Sequence, residues 1–177
     1  MVITIKKSII KSICNQVKII TERCGTRNPA KICHQLGINI YYHDLGNKLK
    51  GYYVYKFGIH NIVIDSNLDE QYIMIILAHE LGHFALHSQQ LMTYHEIGIG
   101  DSLDSLEVQA HFFCAELLIQ DQDAISALEE FGSLEAAAKE LMVPPDLIDY
   151  KLQIMECKNL LTIKDFNYAN RNFLKTM

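Results

Sequence analysis

Residues 75–87 of this 177-residue chain read IILAHELGHFALH, and this stretch decides the fold. An apolar run leads into His79 and His83, which stand four residues apart with Glu80 directly after the first of them. Side chains at i and i+4 project from the same face of a helix, so both imidazoles can converge on one metal ion. Glu80 lies about 100° round the helix from His79, within reach of a water molecule at that metal. The stretch therefore predicts a core helix that carries two metal ligands and a general base.

The HExxH pattern is short and also occurs by chance, but its setting here favours a metal site. A polar cluster in the middle of an apolar helix is costly unless its groups are satisfied. Zinc at such a cluster lowers the pKa of its bound water to roughly 7 and so supplies a nucleophile at neutral pH. Glu80 would take the proton from that water and deliver it to the leaving amine. The pattern thus predicts hydrolysis of a peptide bond.

A catalytic zinc ion needs a third protein ligand and one open position. The extended HExxHxxGxxH form is absent, because its remaining positions are occupied by Leu86 and Gln89. His87 stands another four residues on, but it lies about 12 Å along the helix axis from His79, too far to share one ion. We therefore expect His87 to pack or cap near the helix end.

The better candidate for the third ligand is Glu107, on the next predicted helix. It follows Leu106 in a buried seam and shares a face with His111, so it can point toward the first helix. Asp101 and Asp104 are alternatives, although negative charges at these positions are typical of a helix N-terminus. Sites with two imidazoles and a carboxylate also accept manganese or iron in place of zinc.

Around the metal helix, the patterns predict an α+β chain with a small three-stranded antiparallel sheet and a helical C-terminal part. The metal helix should end at about His87, before a glycine-bearing loop at 88–100, and the remainder from Asp121 should be helical with breaks at Gly132 and Pro144–Pro145. Before the metal helix, the patterns predict two helices, at 6–23 and 29–37. Three strands follow, at 38–43, 51–57 and 61–65. We assign one domain to residues 1–160, with a helical hairpin at 133–155, and a polar tail to residues 161–177.

Composition excludes several classes of protein. The chain has 16 Lys+Arg against 21 Asp+Glu, a net charge of −5, which is unusual for a dedicated nucleic-acid binder. Five cysteines without a CxxC pair argue against a disulfide framework or a thiolate zinc site. Lysines interrupt the N-terminal apolar residues, and the longest apolar run, 72–78, is too short for a membrane span. We expect a soluble cytoplasmic protein without a direct nucleic-acid or membrane partner, and the sequence predicts no oligomeric state.

Two weaker patterns carry alternatives. Tyr94 and His95 follow the predicted metal helix and could donate a hydrogen bond to a tetrahedral oxyanion, although loop residues without a catalytic part are more common. Residues 133–152 have the outline of a helix-turn-helix, but Lys139 and Lys151 are their only basic residues. This stretch is better interpreted as a structural hairpin or a protein-docking element than as a DNA-binding one.

Residues 75–87, followed by EVQAHFFCAELL at 107–118, resemble the ImmA/IrrE family of zinc metallopeptidases. That family has an HELGH helix and then a helix of the form ExxANxFAxxLLMP, and the similarity extends over roughly residues 6–155. The resemblance implies a zincin-like fold and Glu107 as the third zinc ligand. The departures are His111 for the usual Asn, Gln120 for Pro, and Lys151 for a common Arg.

The resemblance also implies a function. Family members are regulatory proteases of phages and mobile elements that cleave a DNA-binding repressor, so the expected partner is such a repressor protein. The expected ligand set is His79, His83 and Glu107 on one zinc ion, with Glu80 as the catalytic base. A catalytically silent zinc-containing module that regulates its partner by docking is the alternative, and a DNA-binding regulator that uses residues 133–152 is a second.

Overall fold

The computed structural model describes residues 5–46, 49–97 and 103–161, with the backbone alone for 89–97 and 103–104. It confirms the α+β class and the helical C-terminal part. The elements, in chain order, are α1 (Lys7–Cys24), α2 (Pro29–Gln35), β1 (Asn39–His43), β2 (Gly51–Lys56), β3 (Ile59–Asp65), α3 (Glu70–Ile97), α4 (Leu103–Leu118), α5 (Asp121–Phe131), α6 (Leu134–Glu140) and α7 (Pro145–Cys157).

The three-stranded sheet is mixed, so the prediction of a fully antiparallel sheet is wrong. Its order is β1-β3-β2, with β3 antiparallel to β2 and parallel to β1. β2 and β3 form a hairpin through Phe57 and Gly58, both with positive φ. The hairpin inserts β3 between the other two strands. Ile62, Val63 and Ile64 are buried on both faces of β3, which is typical of a central strand and explains why the most apolar strand takes this place.

α3 is longer than predicted. The pattern predicts an end at about His87 and a loop over 88–100, but the helix continues to Ile97. No glycine or proline interrupts residues 88–97, so nothing in the local sequence stops the helix before Gly98. The N-terminus is capped by Asp69, whose Oδ1 accepts a hydrogen bond from the backbone N–H of Tyr72 at 2.8 Å.

α3 is the central helix of the domain and packs against both the sheet and α4. The crossing with α4 is close, because a Cβ placed on Gly82 would come within 3.2 Å of both Ala110 Cα and Phe113 Cβ. α4 in turn packs against α1 and α7. The largest fully buried apolar side chains include Leu77 and Leu81 of α3, Phe112, Phe113 and Leu117 of α4, and Ile148 and Leu152 of α7.

An ion-pair cluster, formed by Glu116, Asp121, Lys151 and Lys158, joins α4, α5 and α7. Lys151 is 1% exposed, and its Nζ lies 2.7 Å from Glu116 Oε2 and 2.7 Å from Asp121 Oδ1. Lys158 Nζ lies 2.7 Å from Glu116 Oε1 and 2.9 Å from Asp121 Oδ2. Each carboxylate therefore bridges both ammonium groups. Lys151 faces the interior, which removes one of the two basic side chains that a DNA-binding use of residues 133–152 would require.

Two further observations concern the chain as a whole. All five cysteines are free, as the odd count and the missing CxxC pair predict. Among the described residues, none of the helices combines the length and the apolar character that a membrane span requires.

Candidate metal centre

Three sequence-predicted ligands meet where α3 crosses α4. His79 Nε2 and His83 Nε2 are 3.1 Å apart on α3. The carboxylate of Glu107, on α4, lies between them, with Oε2 at 3.2 Å from His79 Nε2 and Oε1 at 3.2 Å from His83 Nε2. Within the described part of the chain, this is the one group of His, Cys, Asp and Glu side chains whose ligand atoms come together in this way.

The spacing of the three donor atoms fits a metal ion. In a tetrahedral zinc site, donors about 2.0–2.1 Å from the ion lie roughly 3.3 Å from one another. The separations of 3.1 and 3.2 Å here are close to that value. Two imidazoles and one carboxylate are also the donor types that catalytic zinc sites use, and they leave a fourth position open. The residues present therefore fit the metal that the HExxH pattern predicts.

Exposure and charge differ between the two sides of this centre. The two histidines are largely enclosed, whereas the Glu107 side chain is 53% exposed. Hydrogen bonds that its carboxylate accepts from His79 and His83 hold the pKa of Glu107 well below its usual range, so the carboxylate stays ionised. The centre is thus enclosed on the α3 side and open to solvent on the Glu107 side, where a large molecule can approach.

Glu80 lies on the sheet side of the histidines and is 7% exposed. The backbone N–H of Tyr53, on the edge strand β2, faces its carboxylate and acts to lower its pKa. Burial raises the pKa of Glu80, although His79 and His83 act in the opposite direction. A buried carboxylate with raised proton affinity beside the two histidines has the properties of a general base.

His87 does not join the donor set. It is 2% exposed, and its Nε2 lies 3.5 Å from Gln109 Oε1. Burial lowers the pKa of His87 to about 4, so the ring is neutral at pH 7. The burial of His87 agrees with the expected packing role. The residue lies within the helix and not at its end, because α3 continues for ten more residues to Ile97.

The remaining candidates fall outside this centre or outside the described side chains. Asp101 lies outside the described residues, and of Asp104 only the backbone is described. Tyr94 and His95 belong to α3, which puts their backbone about 22 Å or more along the helix axis from His79. That separation argues against the oxyanion role considered for them.

Sequence reasoning missed a pair of rings beside the centre. The ring of His111, one turn after Glu107 on α4, has its centroid 4.5 Å from that of His79. Tyr150, on α7, stacks on His111 with centroids 5.3 Å apart and an interplanar angle of 15°. The sequence marks His111 only as a departure from the family pattern. No sequence signal links Tyr150 to His79, because 71 positions separate them and only the packing of α7 on α4 brings them near.

The fold and the donor set define a metallopeptidase type of centre, and comparison with known proteins gives the family. The IrrE N-terminal-like domain family, Peptidase_M78, matches residues 33–153, and the chain belongs to this family. The predicted resemblance to the ImmA/IrrE family is thereby confirmed.

Two curated relatives match over most of their length. Metallopeptidase ImmA of Bacillus subtilis (strain 168) is 34% identical over 146 residues, which cover 80% of this chain and 85% of the relative. Uncharacterized immunity region protein 2 of Bacillus phage phi105 is 29% identical over 143 residues, which cover 81% of this chain and 90% of the relative.

Proposed function

We propose that this protein is a zinc-dependent, site-specific endopeptidase that cleaves a regulatory protein inside the cell. The observation that carries the proposal is the convergence of His79 Nε2, His83 Nε2 and a Glu107 carboxylate oxygen beside the buried Glu80. Membership of the Peptidase_M78 family supports it independently. Tyr94 and His95 have no part in this proposal.

In this mechanism, His79, His83 and Glu107 hold the metal, and Glu80 moves the proton. A bound zinc ion supplies a Lewis acid, which polarises the peptide carbonyl and makes water more acidic. Glu80 accepts a proton from the attacking water and donates a proton to the nitrogen that leaves as the amine. The backbone N–H of Tyr53 faces the Glu80 carboxylate and favours its ionised form, the form that accepts the proton.

The proposed substrate is a helix-turn-helix repressor of a phage or mobile element. The support is the similarity to an immunity region protein of a Bacillus phage, together with the 34% identity to a metallopeptidase. The net charge of −5 is compatible with a basic DNA-binding protein as partner. The open Glu107 side of the centre offers room for a segment of such a protein.

The test uses Glu80→Gln, which keeps the size and one oxygen of the side chain but removes the base. Wild type and variant are incubated with the helix-turn-helix protein proposed as substrate, chosen from the reading frames next to the gene, and the products are followed by intact mass. We expect two fragments with wild type and a rate lower by about 10²- to 10⁴-fold with Glu80→Gln, the usual contribution of a general base. Zinc content should be equal in the two proteins. Glu129→Gln, at an exposed glutamate of α5, is the matched control.

Two outcomes would contradict the mechanism. Cleavage by Glu80→Gln at the wild-type rate would remove Glu80 as the base. A stable complex between wild type and repressor, with no fragment formed, would instead favour the silent zinc-containing module that regulates by docking. Metal analysis of the purified protein distinguishes zinc from manganese and iron.

A further inference from the structure

The ring of His79 contacts Glu107 and His83 through Nε2, the atom that would bind the metal, but no hydrogen bond from a described residue holds the ring at its other nitrogen. Its Nδ1 is buried and has no partner among the described residues, and the same holds for Nδ1 of His83. A metal-bound histidine normally donates its second ring N–H to a carboxylate or carbonyl, which holds the ring in place and strengthens metal binding. The support that such a bond would give the His79 ring must therefore come from another contact.

Neighbouring rings supply that support. His83 contacts the His79 ring from one side, with centroids 4.8 Å apart and an interplanar angle of 75°. His111 contacts it with centroids 4.5 Å apart and an angle of 50°. Because the second side-chain torsion of histidine has a broad, shallow minimum, contacts of this kind decide where the ring settles.

His111 is itself packed against a ring of the C-terminal part, Tyr150. Tyr150 stacks on it nearly parallel, and Phe112 meets the edge of Tyr150 with centroids 5.0 Å apart. The next residue of α7 is Lys151, whose ion pairs with Glu116 and Asp121 anchor that helix to α4 and α5. Tyr150 therefore lies in the helix turn that the ion-pair cluster anchors, and the cluster helps to fix its position.

We propose that His111 and Tyr150 are positioning residues, which hold the His79 ring in the orientation that binds the metal by ring packing instead of a hydrogen bond. α7 thereby becomes part of the support of the metal centre, although it contributes no ligand. The inference rests on the proposed metal site and deepens it. It also assigns the C-terminal hairpin a role that requires neither DNA nor a docking partner.

The experiment measures zinc affinity by competition with a chromophoric chelator, which requires no substrate. The variants are His111→Ala and Tyr150→Ala, which remove a ring, and His111→Phe and Tyr150→Phe, which retain one. His43→Ala, at an exposed histidine of β1, is the matched control. We expect the two alanine variants to bind zinc about 10- to 100-fold more weakly. This is the usual effect of removing a residue that holds a metal-binding side chain in place. The two phenylalanine variants and the control should bind like wild type.

A spectroscopic readout separates positioning from a loss of stability. The visible absorption of the Co²⁺-loaded protein reports the arrangement of the ligands, and circular dichroism reports the fold. We expect His111→Ala to change the Co²⁺ spectrum while the helical signal is unchanged, and His111→Phe to retain the wild-type spectrum. If His111→Ala fails to fold, the comparison of His111→Phe with wild type still tests the inference.

Three results would overturn the inference. Zinc binding by His111→Ala and Tyr150→Ala at the wild-type affinity would show that the rings position nothing. Binding by His111→Phe as weak as that of His111→Ala would show that a ring nitrogen matters and not the packing. His79→Ala distinguishes this failure from a failure of the metal site: if His79→Ala also binds zinc like wild type, the proposed function is overturned as well.

Discussion

At the scale of single residues, Glu107 is the least enclosed member of the donor set. Both of its oxygens are engaged, one with each histidine, yet its side chain is 53% exposed. The charge of the carboxylate is retained because hydrogen bonds to His79 and His83 lower the pKa of Glu107 well below its usual range. Its contribution to the centre is therefore a fixed negative charge on the solvent side of the two imidazole rings.

Replacing that charge should weaken metal binding more than any change of the surrounding residues. Glu107→Gln keeps the size of the side chain and one oxygen but removes the charge. We expect zinc affinity to fall by more than about 100-fold, which is the upper end of the loss when a residue that supports a metal ligand is removed. Chelator competition measures the affinity, with Glu129→Gln as the control. Undiminished zinc binding in Glu107→Gln would move the third ligand to Asp101 or Asp104.

At the scale of elements, the crossing of α3 and α4 decides whether the ligands meet. His79 and His83 belong to one helix and Glu107 to the other, so their separation depends on how closely the two axes approach. Gly82 stands at the contact, directly before His83, and the nearest atoms of α4 are the Ala110 backbone and Phe113 Cβ. A glycine in the middle of a helix costs about 1 kcal/mol relative to alanine, so its presence here is explained by the close approach.

Gly82→Ala should therefore destabilise the protein even though alanine favours a helix. The added Cβ meets Ala110 Cα and Phe113 Cβ at 3.2 Å, and neither atom belongs to a flexible side-chain end. We expect the free energy of unfolding to fall by about 1 kcal/mol or more, as over-packing usually causes, and zinc affinity to fall with it. Urea denaturation and chelator competition measure the two effects, with the exposed Ser126→Ala on α5 as control. A more stable variant would contradict the close crossing.

At the scale of the whole molecule, the ion-pair cluster couples the C-terminal helices to the helix that carries Glu107. Burial raises the pKa of Asp121, but hydrogen bonds from Lys151 and Lys158 outweigh it and lower the pKa below the ordinary value of 3.8. The hydrogen bonds to Glu116 and Asp121 likewise overcome burial and raise the pKa of Lys158 above 10.5. A carboxylate whose pKa is lower in the folded state stabilises the fold at pH values above its pKa in the unfolded chain. An ammonium group whose pKa is raised in the folded state stabilises the fold at pH values below its pKa in the unfolded chain.

These directions define a pH window for the cluster. The contribution of Asp121 should be fully present at pH 7 and should disappear as the pH falls below about 4, through the lowered pKa of the folded state. We expect Asp121→Asn to lower the free energy of unfolding at pH 7, and the difference from wild type to shrink between pH 5 and pH 3. Urea denaturation of metal-free protein measures it, and Asp123→Asn is the control on the same helix turn. A difference independent of pH would contradict the ion-pair origin.

The sequence by itself determined the features that depend on near neighbours along the chain. The i, i+4 spacing of His79 and His83 and the apolar residues before them indicated a metal helix, because helical geometry converts short spacing directly into a shared face. The helical character of the C-terminal part followed from local patterns in the same way. Glu107 was the preferred third ligand from its helix face, and the family resemblance strengthened that preference.

Only the tertiary structure decided what depends on long-range packing. β3 lies between β1 and β2 because the most buried strand occupies the centre of the sheet, and strand order leaves no mark in local spacing. The backbone N–H of Tyr53 reaches Glu80 only because β2 lies against α3. Tyr150 reaches His111 only because α7 packs on α4. The ligands that one helix carries can be recognised from the spacing of its residues. The groups that orient those ligands come from distant parts of the chain and meet only in the folded molecule.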